Sequence, residues 1–146
     1  MRIVGRVAAA VVCALVALPV SAQTQKTLNG LVVNIGIMSS IDAEHTDAQH
    51  GVHKGGHGSG TQHILVSLAE EKGGARVGDA QVSIEVKNPK GVVQKKALMP
   101  MVTAGYPDYS EVFDFPWSGK YQLRVRIERK PGARPVETTF TVNHVI

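Results

Sequence analysis

Five of the six histidines of this chain fall within AEHTDAQHGVHKGGHGSGTQH, residues 43–63. Imidazole is a common ligand of Zn(II), Cu(II) and Ni(II), and Asp42, Glu44 and Asp47 add carboxylate oxygens beside the run. His50, His53 and His57 would share one face of a helix, but Gly51, Gly55, Gly56, Gly58 and Gly60 oppose helix formation by up to about 1 kcal/mol each. The stretch is therefore expected to be a loop in which His45, His50, His53 and His57 capture metal weakly and without selectivity, because ordering the loop costs entropy. The plain alternative is a polar loop with incidental histidines.

A second group lies in ALMPMVTAGYPDY, residues 97–109, where Met99 and Met101 flank Pro100. Proline donates no ladder hydrogen bond, so the segment belongs at a sheet edge or a strand end. In extended backbone, residues two apart point to one side, which aligns the two thioethers. Thioether sulfur is the soft ligand left when cysteine is absent, and with imidazole it suits Cu(I) and tolerates Cu(II). The competing reading makes both methionines adaptable core filler.

Cysteine is absent from everything after Cys13. Cys13 itself falls in MRIVGRVAAAVVCALVALPVSA, where Arg2 and Arg6 precede an apolar run that ends on small residues. That is the pattern of a secretory signal peptide over residues 1–22, cut after Ala22. The exported remainder, residues 23–146, is expected to be one domain that is not membrane-embedded. Losing Arg2 and Arg6 lowers its formal charge from +4 to +2, and nothing concentrates a basic face with stacking aromatics, which argues against nucleic acid as a partner.

The elements that would position these ligands read as strands. In YQLRVRIE, residues 121–128, apolar and polar residues alternate with the period of two that a half-buried strand requires. AQVSIEVK and ETTFTVNH repeat the pattern, and LVVNIGI, HILVSLA, VVQKKALM and SEVFDF complete about seven short strands separated by turn residues. The expectation is an all-β, immunoglobulin-like β-sandwich with one long His/Gly-rich loop over about residues 38–62, and a small barrel fits the strand pattern nearly as well. Alternation sets His63 with Leu65 and Ser67, opposite Ile64, Val66 and Leu68, and sets His144 on the side of Phe140 and Val142.

KTLNGLVVNIGIMSSI at 26–41 and ALMPMVTAGYPDYSEVF at 97–113 resemble the periplasmic ferrous-iron-transport-associated protein family. These are copper-binding, immunoglobulin-like dimers that work beside an inner-membrane iron permease. YQLRVRIERKPGARPVETTF and DAQVSIEV are similar to exported YtkA-like domains, small β-sandwiches associated with metal transport. The first resemblance implies that Met101 and His63 are copper ligands and that the chain is a homodimer. It also implies a histidine where this chain has Asp108 and a glutamate where it has Leu65. Asp108 can supply an oxygen ligand, and His144 and Met99 are further candidates.

Catalysis has little support: there is no cysteine nucleophile, no GxSxG, no HExxH and no glycine-rich phosphate loop after a strand. Glu111 and Asp114 fall on opposite faces of a strand, and Arg124 and Arg126 share a solvated face. The sequence thus points to a non-enzymatic metal-binding protein, for copper most of all and for iron or zinc otherwise, serving an inner-membrane metal transporter. The alternative is a non-catalytic interaction or assembly domain with no specific metal site.

Overall fold

Alternating apolar residues decide which face of each strand turns inward, and the burial of the strands follows that alternation closely. The structure, a computed structural model, describes residues 24–39 and 60–146. These form nine strands: β1 (Gln25–Leu28), β2 (Leu31–Ser39), β3 (Thr61–Glu70), β4 (Gln81–Lys87), β5 (Val93–Ala97), β6 (Met99–Thr103), β7 (Tyr106–Asp114), β8 (Gly119–Glu128) and β9 (Val136–His144). A five-stranded sheet runs β1-β2-β3-β7-β6 and a four-stranded sheet runs β5-β4-β8-β9, every pair antiparallel. The all-β sandwich expected from the sequence is the observed architecture.

Between the sheets lie Val33 of β2, Ile64, Val66 and Leu68 of β3, Tyr109 and Phe113 of β7, and the inward residues of β4, β8 and β9, all buried. Burying such side chains supplies the main stabilising term, about 1.5–3 kcal/mol for each large apolar residue. Tyr109 also has its hydroxyl inside, where it accepts from the Ala80 amide at 2.9 Å and donates to the Val77 carbonyl at 3.1 Å. These two bonds fix the β3–β4 connection against β7.

Nine strands replace the expected seven for two physical reasons. Residues 92–99 do not form one strand: Leu98 is buried and its amide bonds Val82 O, so β5 ends in one sheet and β6 begins in the other. The additional β1 is closed onto β2 by Asn29 and Gly30, whose φ values of 50° and 75° fit the primed two-residue turn that matches strand twist. The expected loop over 38–62 is also too wide, since β2 reaches Ser39 and β3 starts at Thr61. Its histidines His45, His50, His53 and His57, like residues 1–22, lie outside the described residues.

As expected for a strand carrying Pro100, β6 forms the edge of the five-stranded sheet. It pairs with β7 only from Tyr106 to Ser110. Beyond that point β5 covers the exposed backbone of β7. The Gln94 amide bonds both N and O of Asp114, at 3.0 and 2.8 Å, and Lys96 donates to Val112 O. Side chains thereby satisfy an edge that would otherwise invite pairing with another chain.

Candidate metal centre

Because cross-strand partners share a face, the register of the five-stranded sheet decides which candidate ligands meet. Met38 pairs with His63 and His63 with Val112; Leu65 pairs with Ser110 and Ser110 with Met99; Asp108 pairs with Met101. Ile64, Val66 and Leu68 of β3 face the core, so all of these residues occupy the outward face. His63 therefore points away from the core, toward the face that also carries Met99, Met101 and Asp108. Ser67 and Leu65 share this face and are half-buried.

Outward-facing residues are normally wet, yet His63, Ser110 and Asp108 are 5%, 1% and 6% exposed. The buried imidazole Nε2 and the Ser110 hydroxyl are hydrogen-bonded to each other. Ser110 stands two residues nearer Asp108 along β7 than Val112, the register partner of His63. The ring thus leans along β7 toward the Met101–Asp108 pair. In an ideal sheet His63 and Met101 are separated by two strand spacings, about 10 Å, and by four residues of β7, about 13 Å. Ser110 occupies the middle of that span.

Asp108 is the most conspicuous electrostatic feature of this face. Among the described residues its Oδ1 is buried with no hydrogen-bond partner, and the cation beside it is the Arg76 guanidinium at 3.8 Å, too long for a hydrogen bond. Burial pushes the carboxyl above its ordinary range, against the opposing pull of the Thr103 hydroxyl and the Arg76 charge. Arg76 reaches this place from the β3–β4 connection, where Val77 and Ala80 are held by Tyr109 and Ala69 bridges to Arg76. Gly78 in the same connection lies against Pro107, where an added Cβ would meet the ring at 2.7 Å, so only glycine lets the connection approach β7 this closely.

Neither Met99 nor Met101 is core filler. Met99 is 56% exposed and Met101 is half-buried, and their thioethers share the outward side as the extended geometry predicts. His144 is elsewhere: it sits on β9 in the other sheet, edge-on to Phe115 and Tyr121 at 5.4 and 6.0 Å, in an aromatic cluster at the rim of the core. The structure does not bring it to the Met101–Asp108 face. Among the described residues no three or more His, Cys, Asp and Glu side chains gather around one point. A cation at Oδ1 would rely on a mixed set, the Asp108 carboxylate and the Met101 thioether, with His63 on the same face but farther along it. An unpartnered, buried carboxylate oxygen opposite a methionine fits that role, because a cation would supply the partner that Oδ1 lacks.

Sequence reasoning missed Arg76, Ser110 and Thr103. Ser110 was legible, since it alternates with the inward Tyr109 and Phe113; Arg76 sits in a turn-rich connection with no periodicity to place it.

No family model and no curated protein matches the chain. Solved structures do. FetP of uropathogenic Escherichia coli strain F11 superposes with a TM-score of 0.64 at 16% identity, over 85% of this chain and 94% of FetP. Copper-reconstituted P19 of Campylobacter jejuni gives 0.63 at 16% identity, over 84% and 94%. This chain has their fold. A protein of the DUF4426 family from Pseudomonas aeruginosa matches equally well, with 0.64 at 16% identity over 82% and 94%. One fold hosts differently described proteins, so function has to be argued from the site.

Proposed function

We propose that the protein is a periplasmic metal-binding protein that handles copper or ferrous iron in support of metal transport or homeostasis. The observation that carries this reading is the buried, unpartnered Oδ1 of Asp108 directly across the β6–β7 pair from Met101, on the face to which the His63 ring leans. Of the two metals, copper suits this donor set better, because thioether sulfur is a soft ligand that iron and zinc use less readily. Copper is also the metal carried by the P19 structure and by a FetP variant of the same fold. The protein acts as a binding module and not as an enzyme, in the service of an inner-membrane metal transporter and as a homodimer.

The histidine-rich segment is an auxiliary collector in this scheme. Its attachment supports that role: β2 ends at Ser39 and β3 begins at Thr61, and the last register pair, Ser39 with Gln62, is next to Met38 and His63. Among the described residues no helix is long and apolar enough to cross a membrane.

Calorimetric titration with Cu(II), and with Cu(I) under reductant, tests the reading on the wild type, on Met101→Leu and on a chain lacking residues 43–61. The expected result is a tight site that survives the deletion and is lost with Met101→Leu. If deletion abolishes all binding and Met101→Leu changes nothing, the metal is held by the histidine run alone and the outward face is not the site.

A further inference from the structure

The Arg76 guanidinium occupies a position that a metal bound to Asp108 would contest. It lies 3.8 Å from Oδ1 and at the same time 5.1 Å over the ring of Tyr106, two residues before Asp108 on β7. The contact with the carboxylate is Coulombic and not a hydrogen bond, so it balances charge without satisfying the oxygen. The contact with the ring gives the guanidinium a second attraction that does not depend on Asp108. Its connection is held by Tyr109 and by the close approach of Gly78 to Pro107, so the cation is presented to this carboxylate by the fold.

We propose that Arg76 is a built-in competitor for the Asp108 carboxylate, which balances its charge while the site is free of metal and weakens metal binding so that the ion can be released. This rests on the reading of the outward face as a metal site. Two cations cannot both neutralise one buried carboxylate without repelling each other, and at a few ångströms that repulsion is large enough to set an affinity. A protein that passes an ion onward has to let it go, and an internal cation facing the ligand lowers affinity without removing a donor. The side chain of Arg76 is 36% exposed, so solvent screens part of the effect.

Two measurements on the full exported chain, made well above the carboxylate range, decide the matter. In Cu(II) titrations, Arg76→Gln should bind about ten-fold more tightly than the wild type, Arg76→Lys should stay near it, and Asp108→Asn should erase the gain. Without metal, urea unfolding should show Arg76→Gln less stable than the wild type, a difference that vanishes in the Asp108→Asn background. A wild type that binds Cu(II) while Arg76→Gln binds equally or more weakly overturns the competitor role and leaves the metal site standing. Binding by Arg76→Gln alone supports the competitor role and shows that the wild-type site is held shut. Binding by neither chain overturns both.

Discussion

Met101 stands directly opposite Asp108 in the β6–β7 ladder, and among the described residues the Oδ1 of Asp108 is buried there without a hydrogen-bond partner. A hairpin has brought a soft sulfur and a buried carboxylate to one face, and the adjoining strand adds His63. The pH response of stability follows from this arrangement. The Asp108 carboxyl lies above its ordinary value of 3.8, chiefly because burial disfavours its charged form. The folded chain therefore holds this proton more tightly than the unfolded chain, and stability falls as pH rises from the ordinary value through the raised one. Asp108→Asn cannot ionise and escapes the penalty. In metal-free protein the two chains should be alike in the acid range, and the asparagine variant should be the more stable near neutrality. Urea midpoints across a pH series measure the gap, and a wild type that stays ahead at neutral pH would contradict the assignment.

Ser110 holds the His63 ring, and both groups are buried. Removing the hydroxyl leaves Nε2 without that partner inside the protein, a loss worth about 1–3 kcal/mol. Ser110→Ala should lower the unfolding free energy by about that amount and also weaken Cu(II) binding, because the imidazole loses the contact that turns it toward Met101 and Asp108. Ser67→Ala, a change of the same type on the same face, provides the comparison. Equal effects from both variants would reduce Ser110 to a packing residue.

How much of this could be read in the sequence varies with the range of the interactions involved. The inward faces of β3, β4, β8 and β9 were legible because alternation over seven or more residues is a strong local signal. The break at Leu98 was not, because an apolar run looks the same whether it stays in one sheet or crosses to the other. The strand β1 left only its Asn29-Gly30 turn as a trace, and that signal was overlooked. At the site, the common side of Met99 and Met101 followed from their spacing. Arg76 did not, since its approach to Asp108 depends on a long-range contact, Gly78 against Pro107, that no local pattern encodes.

The register that sets Met101 against Asp108 is imposed by the turn at Ala104 and Gly105, with φ values of 50° and 82°. Glycine adopts the left-handed region freely, whereas alanine does so at a cost of about 1 kcal/mol. Asparagine is favoured at the first position of such a primed turn. Ala104 is exposed, so a larger polar side chain meets no obstruction from the core. Ala104→Asn should therefore stabilise the protein by about 1 kcal/mol in thermal or urea unfolding while leaving Cu(II) affinity unchanged. Ala104→Val, whose branched side chain resists positive φ, should do the opposite and loosen the pairing of β6 with β7. If the asparagine variant proves less stable than the wild type, the turn does not hold this register in the way the two φ values require.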